Sequence, residues 1–222
     1  MNAATPSTST LSFTLQAVRH AGDLLDACAV RAGAYGHHLP ELQQAFALPD
    51  ALDHRPGTCV LLCRDKASGA AIGTARIQAS DHGPLLIEQS LRLPPLLAQH
   101  RRAEITRLSV SAGADPLAKL ALMKASYLHC LARGVRHMVI GARKPALIRT
   151  YQRLGFSDVL GPDEMVSLAH AGNLPHRVLA FDVSAARATW QAQQHPLWMF
   201  MIDTHHPDIV LDDEPAEQLL AA

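Results

Sequence analysis

The sequence predicts an α/β domain in which a mixed, mostly antiparallel sheet is flanked by helices. The chain has 222 residues, of which 48% are hydrophobic, and this composition suits a single core. Strand-like and helix-like stretches follow the order β-α-β-β and then β-α-β-α-β, which is neither the alternation of a Rossmann fold nor the pattern of a sandwich. We expect the domain to span residues 11–211, including an aromatic tail, between a disordered lead-in (1–10) and an acidic, frayed end (212–222).

The first half of the chain predicts a strand over 12–18, a helix over 21–34, and a hairpin with strands over 58–64 and 70–79. Apolar residues recur along the helix at the spacing of one helical face. Gly69 lies in the turn of the hairpin. The intervening residues 35–55 contain two prolines and three histidines, and are predicted to be mostly irregular.

The second half predicts a short helix with a loop over 84–100, then a strand (103–110), a helix (116–131), a strand (137–141), a helix (145–154) and a strand (177–183). Asp115 caps the long helix, with Pro116 as its first residue, and Gly134 ends it. Strict alternation along 103–110 predicts one face with Ile105, Arg107 and Ser109, and another with Glu104, Thr106, Leu108 and Val110.

Composition argues against several classes of protein. The formal net charge is zero, so the chain lacks the electrostatic footprint of a nucleic-acid-binding protein. The sequence contains no uninterrupted run of 18 apolar residues, so it predicts no transmembrane helix. Residues 1–10 lack the pattern of a signal peptide. The four cysteines match no zinc-binding spacing, and adjacent histidines such as His205-His206 rarely converge on one ion. We therefore expect reduced thiols, no metal site and a cytoplasmic location.

Two short stretches resemble acyltransferases of the GNAT family. Residues 148–156 (IRTYQRLGF) resemble a helix-to-strand segment of that family, and 103–110 (AEITRLSV) resemble the Glu-x-x-Arg strand of one subset. That subset comprises the acyl-homoserine-lactone synthases and the long-chain N-acyl amino acid synthases. The chain also resembles the subset in an ordered set of charged residues before this strand: Arg31, Asp50, Asp53 and Arg76. The tail (HPLWMFMIDTHHPDI) resembles the N-acyl amino acid synthases more closely.

The resemblance implies the GNAT fold and an N-acyltransferase that moves a long-chain acyl group from acyl-carrier protein onto an amino acid. Most acetyl-CoA-dependent members bind the CoA pyrophosphate on a glycine-rich loop at a helix N-terminus. The equivalent stretch here, 111–118, has one glycine, and Asp115 stands where the anion would dock. The absence of a glycine-rich loop favours acyl-carrier protein over acyl-CoA as the thioester co-substrate. No bound cofactor is expected.

The resemblance also assigns roles to individual residues. Aminolysis of a thioester needs a base for the protonated amine and hydrogen-bond donors for the oxyanion. Glu104 is the candidate base, because burial on a strand raises the pKa of a carboxyl. Tyr151 is the candidate general acid, with a packing role as the alternative. The cleft for the acceptor is assigned to Arg31, Asp50, Asp53, Arg76 and Arg107, and the thioester and pantetheine contacts to the backbone of Leu108, Ser109 and Val110.

Other functions stay open at this point. The chain is also compatible with an acyl-homoserine-lactone synthase, with an acetyl-CoA-dependent GNAT enzyme, and with a GNAT-like module that binds without catalysis. The length of the acyl chain, the identity of the amine and the oligomeric state do not follow from the sequence.

Overall fold

A computed structural model describes residues 7–36 and 40–211. Its helices are α1 (Ala21–Gly36), α2 (Pro40–Phe46), α3 (Pro95–Ala98), α4 (Leu117–Ala132), α5 (Pro145–Arg153) and α6 (Ala186–Ala192). Its strands are β1 (Ser7–Thr8), β2 (Phe13–Ala17), β3 (Thr58–Asp65), β4 (Ala71–Ala79), β5 (Arg102–Val110), β6 (His137–Ala142), β7 (Ser157–Asp158), β8 (Val166–Leu168), β9 (Leu174–Asp182), β10 (Thr204–His205) and β11 (Ile209–Val210). Single helical turns cover Leu86–Gln89 and Ala169–Ala171 (3-10) and Met199–Asp203 (π).

The strands form the mixed, mostly antiparallel sheet that the sequence predicts. Its order is β11-β2-β3-β4-β5-β6-β9-β7, with β8 also paired to β9. Only the β11–β2 and β5–β6 pairs of this sheet are parallel. The β5–β6 pairing extends from Arg102 to Glu104 and no further, although both strands continue. The two strands therefore part after Glu104, and a gap opens between them in the centre of the sheet.

Helices cover both faces of the sheet. Helix α4 packs on one face, where its apolar residues join Phe13, Leu61, Ile77 and Ile105 in the main core. Helix α1 packs on the opposite face through a smaller cluster that includes Leu24 and Leu62. A second small cluster, around the Leu86–Gln89 turn and β6, occupies the same face as α1. The part of β4 and β5 between these two small clusters is where the charged residues gather.

Two predictions about the amino-terminal region are wrong. Residues 40–46 form α2, because the tertiary contact of Phe46 with Tyr35 (ring centroids 4.8 Å apart) stabilises a short helix that the local sequence does not predict. Part of the predicted lead-in is also a strand, since Ser7 and Thr8 pair with the carboxy-terminal strand β10. Residues 1–6, 37–39 and the predicted frayed end at 212–222 lie outside the described residues.

The carboxy-terminal tail packs on the body, as predicted, and a buried lysine of α4 holds it. The ammonium of Lys124 donates hydrogen bonds to the carbonyls of Phe200 (2.7 Å) and Thr204 (2.6 Å). Its third partner is Nδ1 of His206, at 3.0 Å. Burial lowers the pKa of Lys124 to about 8, so the amine is mainly protonated at neutral pH. The tail then ends as β11, which pairs with β2.

Two further features accord with the predictions made from single residues. The carboxylate of Asp115 accepts the backbone N–H of Leu117 at 2.8 Å, so it caps α4. All four cysteines are free thiols.

No helix in the described ranges is long and apolar enough to cross a lipid bilayer.

Candidate functional site

A β-bulge in β5 changes which residues share a face. Thr74 of β4 pairs with Ser109, but Arg76 pairs with Thr106, so two residues of β5 lie opposite one residue of β4. Arg107 has a φ of 54°, which is unusual for a residue other than glycine. The predicted faces are therefore wrong beyond Thr106, because strict alternation assumes an unbroken ladder.

The bulge brings the charged residues of β5 together. Arg107 turns to the face of Glu104 and Thr106, where it reaches Asp50. Leu108 and Val110 turn to the opposite face and pack against the main core. Ser109, through its pairing with Thr74, returns to the charged face.

Five residues predicted for the acceptor cleft form one network on this face. Nη1 of Arg31 donates to both oxygens of Asp53 at 2.9 Å. Nη1 of Arg76 donates to Asp50 at 2.7 Å and to Asp53 at 3.3 Å. Nη2 of Arg107 lies 3.6 Å from Asp50. Burial acts to raise the pKa of Asp50, but the hydrogen bonds from Arg76 and Leu52 and the charges of Arg76 and Arg107 together outweigh it, and the pKa lies below its usual value.

This network is short of acceptors. Three arginines face two aspartates, so the cluster carries a formal excess of one positive charge. Nε and Nη2 of Arg31 and Nη2 of Arg76 are buried without a hydrogen-bond partner among the described residues. An unsatisfied buried donor costs about 1–3 kcal/mol, more if charged. The arrangement therefore suits a bound anion such as a carboxylate, which would complete these hydrogen bonds.

Glu104 lies on the same face and is 1% exposed. Its Oε2 accepts the backbone N–H of Ile87 at 3.0 Å. Burial raises the pKa of Glu104 to about 7, although the hydrogen bond from Ile87 and the charge of Arg76 oppose the rise. A carboxyl with this pKa is partly ionised at neutral pH, which is the condition for efficient general-base catalysis.

His170 is a neighbour of Glu104 that the sequence did not predict. Its Nε2 lies 3.5 Å from Oε1 of Glu104. Burial, followed by the charge of Arg107, lowers the pKa of His170 to about 4, so the imidazole is neutral at physiological pH. The residue lies in the turn between β8 and β9 and meets β5 only in the folded chain, and no local pattern signals that contact.

Helix α2 supplies an aromatic wall beside the network. The ring of Phe46 stacks on the guanidinium of Arg107, 3.7 Å from its central carbon. Tyr35 of α1 packs edge-on against Phe46. Sequence reasoning missed this wall because it treated residues 35–55 as irregular.

Tyr151 makes no hydrogen bond or ion pair with this network among the described residues, although Tyr35, beside Arg107, acts on its pKa. Tyr151 belongs to the main core on the α4 side, whereas Glu104 faces the opposite side of β5. Its ring packs against Phe156, with centroids 5.6 Å apart, and burial raises its pKa. It also lines a cavity of about 200 Å³ between α4 and α5, together with Pro116, Lys119, Leu120, Met123, Thr150, Arg153, Leu154 and Leu197. Its role as a general acid stays a prediction.

The backbone predicted to contact the thioester borders the gap between β5 and β6. Val110 pairs with Gly73 of β4, so one edge of β5 is satisfied there. The other edge, from Ile105 onward, has no ladder partner in the described part of the chain, because β6 has moved away. Backbone groups at Leu108–Val110 thus have an edge from which to bind a ligand. Within the same described ranges, no three His, Cys, Asp or Glu side chains are placed to hold a metal ion.

Comparison with known proteins shows the fold. No protein-family model and no curated protein sequence matches the chain. FeeM, an N-acyl amino acid synthase from uncultured soil microbes, has a similar structure (TM-score 0.61, 16% identity, covering 85% of this chain and 98% of FeeM). So does BjaI, a CoA-dependent acyl-homoserine lactone synthase (0.57, 15%, 94% and 99%). An acetyltransferase of the GNAT family from Staphylococcus aureus Mu50 is also similar (0.52, 10%, 77% and 99%). The chain thus has the GNAT fold, as the sequence resemblance predicted.

Proposed function

We propose that this protein is an N-acyltransferase that moves an acyl group from a thioester onto the amine of an amino acid. The observation that carries the proposal is the shared face of β4 and β5, which combines a buried carboxyl of raised pKa, Glu104, with buried arginine donors that lack acceptors. An amino acid matches both features, since its amine needs a base and its carboxylate needs donors. The fold shared with FeeM and BjaI, which are named as synthases of N-acyl amino acids and acyl-homoserine lactones, supports the same chemistry.

The reaction requires a free amine beside an activated carbonyl. Glu104 accepts a proton from the acceptor's ammonium group, directly or through water. The amine then attacks the thioester carbon, the C–S bond breaks, and the thiolate leaves with a proton as the thiol. The free edge of β5 at Leu108–Val110 is the source of N–H donors for the oxyanion in this proposal.

The acceptor's carboxylate is assigned to the arginine network. Nη2 of Arg76 is the unpaired donor closest in the ladder to Glu104, because Arg76 pairs with Thr106, two residues further along β5. Arg107 is 16% exposed and is the arginine that an entering ligand meets first. A carboxylate bound by these two guanidiniums would neutralise the excess positive charge and place the amine towards Glu104.

We further propose acyl-carrier protein as the donor. Asp115 already occupies the N-terminus of α4, so the backbone N–H groups that bind a CoA pyrophosphate in many GNAT enzymes face a carboxylate here. Four exposed cations precede or lie on α5, and the last of them also lines the 200 Å³ cavity: Arg143, Lys144, Arg149 and Arg153. A basic face suits an acidic carrier protein. Acyl-CoA is the alternative donor, since BjaI is described as CoA-dependent and shares the fold.

A product assay tests the function. The purified protein is incubated with acyl-carrier-protein and CoA thioesters of several chain lengths, with amino acids or S-adenosylmethionine, and products are identified by mass spectrometry. We expect an N-acyl amino acid with a free carboxylate, formed faster from the carrier-protein thioester. Glu104→Gln should abolish most of this product, while Glu164→Gln, at an exposed site, should not.

Three results would contradict parts of the proposal. Turnover that is faster with acyl-CoA would reverse the donor assignment. A lactone product formed with consumption of S-adenosylmethionine would replace the acceptor. A folded protein that binds thioesters but forms no acyl product with any acceptor would point to a binding module.

A further inference from the structure

One short segment of the chain holds the carboxylate of Glu104. This segment, Leu86–Gln89, is the single 3-10 turn on the charged face of the sheet. The N–H of Ile87 donates to Oε2 of Glu104 at 3.0 Å, and the backbone of Leu86 also acts on the carboxyl. The other oxygen, Oε1, lies 3.5 Å from Nε2 of His170, which is longer than a usual hydrogen bond. Oε1 therefore has capacity left for a substrate.

The turn is supported from outside itself, because a single helical turn makes few hydrogen bonds of its own. Its apolar residues anchor it, since the side chains of Leu85 and Ile87 are fully buried. Its first residues are held by Glu88, whose Oε2 accepts the backbone N–H of Leu85 at 2.9 Å. The direction in which Ile87 presents its N–H thus depends on the position of the Glu88 side chain.

Arg102 fixes that side chain. Its Nη2 donates to Oε1 of Glu88 at 2.6 Å. Its Nη1 donates to the carbonyls of Ala98 (3.0 Å) and His100 (3.3 Å), so the guanidinium is held on both sides. The two charged side chains are only 14% and 18% exposed, unlike those of a loose surface pair. Arg102 precedes Glu104 by two residues on β5, so the strand that carries the base also carries this anchor.

We propose, on the basis of the proposed function, that Arg102 and Glu88 are positioning residues for the general base. Arg102 fixes Glu88, Glu88 fixes the turn, and Ile87 of the turn fixes Oε2 of Glu104. Oε1 then faces the ammonium group of the acceptor in a constant direction. Constant geometry matters because a misplacement of about 1 Å can cost about 10²-fold in rate.

The same pair acts on the pH at which Glu104 ionises. Burial is the main cause of the raised pKa of Glu104; the charge of Arg76 from β4 opposes it, and the charge of Glu88 adds to it. His170, the other titratable neighbour, is neutral near pH 7. Arg102 balances the charge of Glu88 at 2.6 Å. Removal of Glu88 should therefore lower the pKa of Glu104, whereas removal of Arg102 should raise it.

The test measures thioester aminolysis across pH for the wild type, Glu88→Gln and Arg102→Met. The rise of kcat/KM with pH reports the ionisation of the base in the free enzyme. We expect this rise to move to lower pH in Glu88→Gln and to higher pH in Arg102→Met. At its own optimal pH, each variant should also lose about 10-fold in kcat, because the carboxylate is less well held.

An exposed ion pair at the start of the same strand provides the matched control. Arg101 lies 2.6 Å from Asp81, and the two side chains are 51% and 34% exposed. Asp81→Asn and Arg101→Met remove the same charges as the test variants, and both should keep the rate and pH profile of the wild type. Arg102→Lys retains the charge beside Glu88, so it should return the profile to the wild-type position and restore part of kcat. It also keeps the test informative if Arg102→Met does not fold.

The outcomes separate this inference from the proposed function. If the wild type transfers no acyl group, the proposed function fails, and the positioning role fails with it. If the wild type is active and Glu88→Gln and Arg102→Met match its rate and pH profile, the positioning role alone is wrong. A loss of rate with the pH profile unmoved in both variants would make the pair merely structural and would also overturn the inference.

Discussion

Two buried cations, Lys124 and Arg76, differ in how many of their hydrogen-bond donors have a partner in the fold. Each is almost fully buried, at 1% and 0% exposure. Lys124 has three hydrogen-bond partners for its three N–H groups, and all of them come from the carboxy-terminal tail. Arg76 donates through Nε to Thr106 and through Nη1 to two aspartates, but its Nη2 has no partner among the described residues.

The difference separates a structural cation from a candidate binding cation. A buried charge whose donors are all satisfied by the chain ties elements together and has no capacity left for a ligand. A buried donor without an acceptor destabilises the empty protein, and a bound anion removes that penalty. The comparison therefore assigns Lys124 to folding and Arg76 to binding.

The largest expected effect lies at the base beside Arg76. Glu104→Gln removes the proton acceptor but keeps the shape of the side chain, so kcat should fall by about 10²–10⁴-fold. Steady-state kinetics of thiol release measures the change. Normal turnover by this variant would show that Glu104 is not the general base beside Arg76.

The comparison itself is tested by two matched substitutions, Arg76→Met and Lys124→Met. We expect Arg76→Met to lower kcat/KM for an amino acid by about 10- to 100-fold, which corresponds to one lost hydrogen bond to a charged group. Lys124→Met leaves two buried carbonyls without a donor and should lower the free energy of unfolding by about 2–4 kcal/mol. Its kcat/KM should stay within about threefold of the wild type. Denaturant unfolding and steady-state kinetics on both variants measure these effects. A loss of kcat/KM in Lys124→Met without a similar loss in Arg76→Met would contradict the assignment.

Glu104 should also make the free energy of unfolding depend on pH. Its pKa in the folded protein, about 7, lies above the ordinary glutamate value of 4.5, so the folded state binds this proton more tightly than the unfolded state. Its contribution is fully present below pH 4.5 and is lost as pH rises through 7, by up to about 3 kcal/mol. The difference in unfolding free energy between the wild type and Glu104→Gln should show this slope. A flat difference would mean that Glu104 is ionised with an ordinary pKa.

The smallest effect is expected at Tyr151. Its side chain is buried in the main core, and burial raises the pKa of its hydroxyl, so it is a weak acid in this protein. Tyr151→Phe should lower kcat by less than about tenfold while preserving the packing against Phe156. A loss comparable to that of Glu104→Gln would establish Tyr151 as the acid that protonates the thiolate.

The acceptor network could be predicted from sequence because its residues violate the local pattern. Arg76 lies within an otherwise apolar strand, where a charge requires a partner. The resemblance to the synthases in an ordered set of charged residues then indicated Arg31, Asp50 and Asp53 as its neighbours. The structure places these residues together. The mixed sheet flanked by helices also followed from the order of the predicted elements.

The parts that could not be predicted depend on contacts between distant segments. The bulge at Arg107 is a property of the β4–β5 ladder, and the residues of β5 alone give no sign of it. His170 and Phe46 reach the site from segments whose own sequences look like ordinary loop residues. A local pattern predicts an element, whereas a site also depends on which elements meet.

The account is tested most directly by comparing an amino acid with the amine that lacks only its carboxylate, as acceptors in thioester aminolysis. If the unpaired donors of Arg76 and its neighbours bind the carboxylate, the wild type should favour the amino acid by about 10- to 100-fold in kcat/KM. This preference should collapse in Arg76→Met and persist in Lys124→Met. Equal rates for the two acceptors in the wild type, or a preference that survives Arg76→Met, would contradict the claim that these buried donors await a carboxylate.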